Sequence, residues 1–335
     1  MKKVLCFGEL LLRFSPELNG EWIRKNSIPV FIGGAELNVA TALAKWNIPV
    51  SYCTVLPANA LSSDILENIS NNEVGIDTIH FGGERIGSYY LPQGADLKNA
   101  GVIYDRAHSS FWNLKPGQIN WDEVLEDVNW FHFSAITPAL NHNLADICKE
   151  ALEAASAKGI CISVDLNYRA RLWQYGVAPI DIMPGLVEHC DLVMGNLWAA
   201  EKMLGIPVGE IRDDKEQYLE QAEKTSIAIM GDFPKCTTVA NTFRFEMGEG
   251  VKYYATIYDG SEQFVSVERR TESIIDKIGS GDTFMGGLIY GKLSGLNSQE
   301  TIDFAAAAAF NKLFIKGDAT TSSVEDIMKG FKNYA

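Results

Sequence analysis

Positive charge, paired cysteines and long apolar runs are all scarce in this sequence. Its 335 residues include 29 lysines and arginines against 43 aspartates and glutamates, a formal net charge of −14. Such a surface repels nucleic acid and anionic lipid, so we expect neither as a partner. An anionic ligand must instead be captured by local cations and backbone N–H groups. No apolar run approaches the length of a membrane span, so we expect no membrane partner.

The six cysteines are scattered, without a C-x-x-C pair or a cysteine and histidine cluster. This pattern predicts reduced, buried thiols in a cytoplasmic protein. The first residues, MKKVLCFGELLLRF, resemble a signal peptide. However, Glu9 and Arg13 interrupt the apolar run, and no small-residue cleavage site follows. We therefore expect a first β-strand there.

Strand-like and helix-like segments alternate along much of the chain. KVLCFG, PVSYCTVL, VNWFHFS, ICISVDL and CDLVMGN have strand patterns, and segments such as AELNVATALAKW have helical patterns. This order predicts βαβ units around a parallel sheet that is buried on both faces. Residues 12–32 and about 80–112 hold short β-like pieces and predict a small second sheet. Residues 236–275 predict consecutive antiparallel strands, and the five alanines at 305–309 a tightly packed helix.

The stretch DKIGSGDTFMGGLIYGKL, residues 276–293, is the most informative about chemistry. Gly279, Ser280 and Gly281 form a glycine-rich turn, and apolar spacing predicts a helix that begins near Asp282. Free N–H groups and the positive end of a helix dipole favour an anion at such a turn. The turn lacks the features of a P-loop or a dinucleotide fingerprint. An ordinary helix cap by Asp282 is the simplest alternative.

Phosphoryl transfer to an alcohol explains why an aspartate follows this turn. The moving phosphoryl group needs its negative charge stabilised, and the attacking hydroxyl must lose its proton. The N–H groups of the turn suit the first task, and a carboxylate suits the second. We therefore expect Asp282 to face a substrate hydroxyl as the general base and to keep its charge.

Two segments resemble the signatures of the ribokinase-like (PfkB) carbohydrate kinases. The family's C-terminal pattern D-x-x-G-A-G-D-x-F is matched here by Asp276, Gly279, Gly281, Asp282 and Phe284, with Ser280 in place of alanine. Its N-terminal pattern G-G-x-x-x-N-x-A is matched by Gly33, Gly34, Asn38 and Ala40. The resemblance implies one ribokinase-like kinase domain over 1–335, of α/β class. Its three-layer α/β/α core would have a mostly parallel sheet, with a small β-sheet lid from about 12–32 and 80–112.

The resemblance also implies a set of site residues. Asp282 and the turn formed by Gly279, Ser280 and Gly281 would be catalytic, and ATP and Mg²⁺ would be required. Asn196, Gly279 and Gly281 would contact the nucleotide, and no protein ligand is implied for the metal. Two copies of the chain could pair through their lids into a homodimer.

The middle of the chain is most similar to the 2-keto-3-deoxygluconate kinases of the family, in the segments IGSYYL, VIYDRAHSS, SAITPAL and SVDLNYRARLW. The implied sugar-acid ligands are Gly33, Gly34, Asn38, Tyr89, Tyr104, Arg106, Asn167, Arg169 and Asp282, with Asp165 in the same segment. Arginine is well suited to a carboxylate. The alternatives are lid packing for Tyr89 and a surface or intrachain ion pair for Arg169.

The sequence departs from the family at the expected nucleotide site. The family's N-x-x-E pattern is represented by Asn196, but Ala199 stands where the glutamate is expected, and Glu201 follows two residues later. The usual G-x-x-G nucleotide loop is replaced by MGDFPKCTTVANTFR. Two rival functions stay open, and the altered nucleotide segment motivates the second of them. One is a kinase of a neutral sugar such as fructose or ribose, and the other is a sugar-binding regulator without catalysis.

Overall fold

The computed structural model describes residues 2–17, 22, 26–93, 101–211, 214–248 and 250–331. The first half of the chain contains β1 (Lys3–Phe7), β2 (Leu11–Phe14), β3 (Val30–Gly33), α1 (Ala35–Lys45), β4 (Val50–Leu56), α2 (Ala60–Asn71), β5 (Ile79–Phe81), β6 (Gly87–Tyr90), β7 (Ile103–Asp105), α3 (Trp121–Val124), β8 (Val128–Ser134) and α4 (His142–Ala157). The second half contains β9 (Cys161–Asp165), α5 (Pro179–Val187), β10 (Leu192–Gly195), α6 (Leu197–Leu204), α7 (Lys215–Asp232), β11 (Thr238–Met247), β12 (Gly250–Tyr258), β13 (Gln263–Val265), β14 (Arg269–Thr271), α8 (Ser280–Leu293), α9 (Ser298–Lys312) and α10 (Val324–Phe331).

The main sheet has ten strands, in the order β13-β12-β11-β10-β9-β8-β1-β4-β5, with β14 also paired to β12. All pairs from β5 to β11 are parallel, which confirms the predicted mostly parallel sheet. The strands β12, β13 and β14 add antiparallel pairs at one edge. Residues 236–275 thus form consecutive strands as predicted, except that β11 pairs in parallel with β10.

Helices cover both faces of this sheet, so the core has the three predicted layers. One apolar core joins the sheet to α3, α4, α5 and α6, and the other joins it to α1, α2, α8, α9 and α10. The alanines at 305–309 are all buried, and α9 packs closely on α8. A Cβ at Gly287 would lie 2.5 Å from Cα of Ala305, so this crossing requires small residues on both helices.

Helix α7 was not predicted from the sequence. Its buried residues are small or only weakly apolar for the most part: Ala222, Thr225, Ser226 and Ile229. A helix that buries so few large apolar side chains gives little periodic signal. Its start is nevertheless capped, because the Asp214 side chain accepts a hydrogen bond from the N–H of Glu216.

A separate four-stranded sheet has the order β3-β2-β6-β7. The β2–β3 and β6–β7 pairs are antiparallel and the β2–β6 pair is parallel. This small sheet coincides with the segments predicted as a lid to within one residue at Leu11 and Gly33, and residues 18–21, 23–25 and 94–100 of those segments lie outside the described residues. Movement of the sheet as a lid, and pairing of two copies through it, stay predictions.

The predicted states of the cysteines and of the N-terminal segment are confirmed. All six cysteines are free, and five are buried, with Cys161 partly buried. The segment that resembles a signal peptide forms β1 and β2. Within the described ranges, no helix is both long enough and apolar enough to cross a membrane.

Candidate active site

The glycine turn forms the N-terminus of α8. The helix begins at Ser280, two residues before the predicted start, and Gly279 caps it with a φ of 77°. A Cβ at Gly279 would lie 1.7 Å from the carbonyl oxygen of Asp318, so only glycine fits there. The first helical hydrogen bond runs from the N–H of Thr283 to the carbonyl of Gly279. The N–H groups of the preceding residues have no acceptor within the helix and suit an anion.

The three turn residues contribute in different ways. The Ser280 hydroxyl donates to the carbonyl of Ala309 at 2.9 Å, so its side chain is used in packing against α9. What Ser280 offers to a ligand is therefore its backbone N–H, and a catalytic role for its hydroxyl has no support. A Cβ at Gly281 would have no atom within 4 Å. The absence of a side chain at Gly281 keeps this space open.

Asp282 lies in the first turn of α8, where Nδ2 of Asn38 donates to its Oδ2 at 2.6 Å. Burial raises the pKa of Asp282 to about 8, against the opposing hydrogen bond from Asn38. The carboxylates of Asp165 and Glu36 raise this pKa further, and Arg169 lowers it. The sequence analysis expected Asp282 to keep its charge when a substrate hydroxyl donates to it, and this stays a prediction, since the raised pKa is that of the site without a substrate. Desolvation of a side chain depends on tertiary packing, so this shift could not be predicted from local sequence.

The turn, the carboxyl ends of the central strands and the small sheet enclose one cavity of about 380 Å³. Almost every residue predicted for the site lines it: Gly34, Asn38, Tyr89, Tyr104, Arg106, Asn167, Arg169, Asn196, Gly279, Ser280, Gly281 and Asp282. Asp165 lines it as well. Ligand sites at the carboxyl ends of strands are typical of open α/β sheets.

The glycine pair of the N-terminal motif is explained by packing within the protein. A Cβ at Gly33 would lie 2.2 Å from Oδ2 of Asp318, and Gly33 does not line the cavity. Gly34 has a φ of 139°, and its Cβ would lie 2.6 Å from the carbonyl oxygen of Glu9. Gly34 does line the cavity. Its φ and the nearby Glu9 carbonyl require glycine at this position whether or not a sugar is bound.

Arg106 and Arg169 differ in their partners. Arg106 is buried, and its Nε and Nη2 lie 2.7 and 2.6 Å from Oε2 of Glu9. Ser109 donates to the other oxygen of the same carboxylate. Arg169 is half-buried and donates to the Tyr168 carbonyl at 3.1 Å. Within the described part of the chain, no carboxylate forms an ion pair with Arg169. The positive charge of Arg169 is thus less compensated than that of Arg106.

Asn167 and Asn196 are fixed by short local bonds. The Asn167 N–H donates to Oδ1 of Asp165 at 2.9 Å, and burial raises the pKa of Asp165 to about 6. Asn196 caps α6, because its Oδ1 accepts from the N–H of Ala199. Ala199 is buried at the position where a glutamate was expected, and Glu201 instead lies near Lys202. The Nδ2 of Asn196 is the atom that suits a ligand.

A buried ionic network beneath the turn was missed by the sequence analysis. Arg13 on β2 donates to Oδ1 of Asp318 and to Oδ2 of Asp276, both at 2.7 Å. The Tyr89 hydroxyl, predicted to contact substrate, lies 3.1 Å from Oδ2 of Asp318. The small sheet is thus bonded to the segments on both sides of the turn. These partners are 263 and 305 positions from Arg13, and no local pattern could reveal such pairs.

Replacement of Arg13 by methionine should lower the free energy of unfolding by about 3–5 kcal/mol, because two buried carboxylates would lose their cation. Urea unfolding measures this change. The matched control is Arg270→Met, since Arg270 is 64% exposed and pairs with Glu268 at the surface. That control should stay within about 1 kcal/mol of the wild type. Equal free energies of unfolding for the two variants would show that the buried network does not stabilise the fold.

Comparisons with known proteins agree with this geometry. Residues 1–323 match the model of the pfkB family carbohydrate kinases. The crystal structure of 2-dehydro-3-deoxygluconokinase from Thermotoga maritima is 36% identical, with a TM-score of 0.89, and covers 98% of this chain and 99% of that chain. The 2-dehydro-3-deoxygalactonokinase of Haloferax volcanii is 30% identical over 98% of this chain and 97% of its own length.

A third similarity bears on the fold alone. A putative Ribokinase II from E. coli, solved in complex with ATP and Mg²⁺, has a TM-score of 0.79 and covers all of both chains, at 18% identity. The family match covers nearly the whole chain, and both of the family's sequence signatures lie at the cavity. The chain therefore belongs to the PfkB family of carbohydrate kinases.

Proposed function

We propose that this kinase transfers the γ-phosphoryl group of ATP to a hydroxyl of 2-keto-3-deoxygluconate, also called 2-dehydro-3-deoxygluconate. One observation carries the proposal. A partly buried aspartate, the open amides of a helix N-terminus and an arginine that forms no ion pair among the described residues line the same cavity. These groups match the reacting hydroxyl, the moving phosphoryl group and the carboxylate of a sugar acid.

Asp282 is the general base of this proposal. Its carboxylate takes the proton of the substrate hydroxyl as that oxygen bonds to the γ-phosphorus, and the bond from phosphorus to the leaving oxygen of ADP breaks. The N–H groups at Ser280, Gly281 and Asp282 stabilise the negative charge on the moving group. The hydrogen bond from Asn38 holds the carboxylate in one orientation.

Mg²⁺ fits this site when it arrives with the nucleotide. Within the described residues, no group of three or more histidine, cysteine, aspartate or glutamate side chains is suited to hold a metal ion. Magnesium in kinase sites is held largely by substrate phosphates and water, and it neutralises charge on the phosphates. We therefore assign it no protein ligand.

The carboxylate of the substrate is assigned mainly to Arg169. Arg106 already pairs with Glu9, so its role is to shape the wall of the cavity and to add a weaker positive field. A neutral sugar would offer Arg169 no carboxylate, so the charge-assisted hydrogen bond that a sugar acid can form would be absent. The similarity to the H. volcanii enzyme makes the C4 epimer, 2-keto-3-deoxygalactonate, a second candidate. A regulator without catalysis would need no aspartate beside the turn.

Activity should depend on pH through Asp282. Burial raises its pKa to about 8, and a general base works only when deprotonated. Below pH 8 we therefore expect kcat/KM to rise about tenfold per pH unit, and to level off above it. A series of steady-state rates from pH 6 to 9 measures this. A profile that is flat over that range would mean that the base has an ordinary aspartate pKa or is a different group.

Substitution of Gly281 by valine should lower kcat by on the order of 10²-fold, because the new side chain would occupy the space that the phosphoryl group needs. The residue lies in a helix with ordinary φ, so the effect is steric and not conformational. Titration calorimetry should show sugar affinity within about threefold of wild type. The control is Gly185→Val, at an exposed helical glycine that also has open space around it. Normal turnover in Gly281→Val would remove the turn from the phosphoryl site.

A coupled assay of ADP release across a panel of sugars tests the proposed function. The panel contains 2-keto-3-deoxygluconate, 2-keto-3-deoxygalactonate, gluconate, fructose and ribose. We expect the highest kcat/KM for one of the two 2-keto-3-deoxy acids. A preference for fructose or ribose would support the neutral-sugar alternative, and no turnover of any sugar would support the regulator.

A further inference from the structure

Strand β11 extends beyond the sheet at the cavity. Its parallel pairing with β10 ends at Gly195 opposite Asn241, but the strand continues to Met247. Residues 242–247 are paired only with β12, in a hairpin whose last pair is Met247 and Gly250. Six residues of strand span about 20 Å, so the hairpin forms a wall above the carboxyl edge of the sheet. The sequence analysis could not align this segment with a nucleotide loop.

The two faces of this wall have different neighbours. Phe243 and Phe245 pack against Tyr218 of α7. The ring centroid of Tyr218 lies 5.7 Å from that of Phe243 and 5.1 Å from that of Phe245. Alternation along a strand places Thr242, Arg244 and Glu246 on the opposite face.

This opposite face is joined to the glycine turn. Oε2 of Glu246 lies 2.7 Å from Nζ of Lys277, which is two residues before Gly279. Arg244 lies two residues before Glu246 on the same strand face, about 7 Å away along the strand. Both Arg244 and Lys277 line the cavity, together with Gly279, Gly281 and Asp282.

We propose that Arg244 and Lys277 hold the polyphosphate of the nucleotide donor. This proposal rests on the proposed function in one respect, that the phosphate donor is a nucleoside triphosphate. The chain has a net charge of −14, so a polyanion needs local cations, and the helix amides can serve only the phosphoryl group at the turn. Arg244 and Lys277 are the two cations on the strand side of that turn, and the Glu246 carboxylate, 45% exposed, is the partner that a phosphate would replace at Lys277. Guanidinium and ammonium groups form strong charge-assisted bonds to phosphate oxygens.

Titration calorimetry without sugar tests the assignment. ATP, inorganic tripolyphosphate and adenosine are titrated into wild type, Arg244→Gln, Lys277→Gln and the control Arg270→Gln, which changes an exposed arginine outside the cavity. We expect the Kd of ATP to rise about tenfold or more in Arg244→Gln and about three- to tenfold in Lys277→Gln. The same factors should apply to tripolyphosphate. Adenosine binding and the control should not change.

Two results would overturn the assignment. One is an ATP Kd within twofold of the control in both variants, and the other is an equal loss of adenosine affinity. Lys277→Gln changes a residue that pairs with an exposed glutamate, Glu246, so it decides the question if Arg244→Gln unfolds. Because no sugar is present, a failure here is distinct from a failure of the sugar-acid proposal. The panel assay can fail while ATP binding still depends on these two cations.

Discussion

Replacement of Asp282 by asparagine should lower kcat by at least about 10²-fold, the contribution of a general base. The amide is nearly isosteric, so the residue still contacts Asn38, and the protein should bind ATP and sugar with little change. The loss should therefore fall on kcat and spare KM. Steady-state kinetics with saturating ATP give both values, and a thermal melt confirms folding.

The matched control for this change is Asp64→Asn, an exposed aspartate on α2. It should leave kcat within twofold of the wild type. If Asp282→Asn also retained full kcat, Asp282 would be a structural residue bonded to Asn38, since Gly279 and not Asp282 caps α8. The amides of the turn would then be the remaining catalytic element.

Truncation of Arg169 to alanine should raise KM for 2-keto-3-deoxygluconate by on the order of 10²-fold. Removal of one member of a shielded charge pair costs about 2–5 kcal/mol. Arg169→Lys should recover only part of this, because an ammonium lacks the planar fork of a guanidinium. Any activity on fructose should change little, since fructose has no carboxylate. The measurement is KM for both sugars in all three proteins.

Arg106→Ala provides the contrast. This change leaves the buried carboxylate of Glu9 without its cation, so we expect a lower melting temperature and weaker binding of acidic and neutral sugars alike. A selective loss of acid binding in Arg106→Ala, with Arg169→Ala unaffected, would reverse the two assignments. Sugar-acid recognition would then depend on the arginine that the structure pairs with Glu9.

The parts of the fold that were predictable from sequence are those determined by local patterns. Strand β8 coincides with the predicted VNWFHFS, and α4 ends at Ala157, two residues before Gly159, which has a φ of 66°. A continuous apolar strand or a capped helix can be recognised from the pattern of about ten to fifteen consecutive residues. Helix α7 was missed because it buries small and polar residues.

The sequence predicted which residues lie at the site better than it predicted what each of them contacts there. The motifs placed Asp282, Asn38 and Arg169 at one cavity, and the structure does bring them there. The sequence could not show that Glu9 compensates Arg106, because that pair spans 97 positions. Nor could it show that the Ser280 hydroxyl binds the Ala309 carbonyl. Partners brought together only by tertiary packing have no local signature.

The most direct test of the central claim is an internal competition. Equal concentrations of 2-keto-3-deoxygluconate and fructose are incubated with limiting ATP, and mass spectrometry quantifies both phosphorylated products, whose ratio equals the ratio of kcat/KM values. We predict that the phosphorylated sugar acid exceeds fructose phosphate by on the order of 10²-fold or more, the worth of one shielded arginine–carboxylate pair. Equal amounts of the two products, or an excess of fructose phosphate, would contradict the assignment of this cavity to a sugar acid.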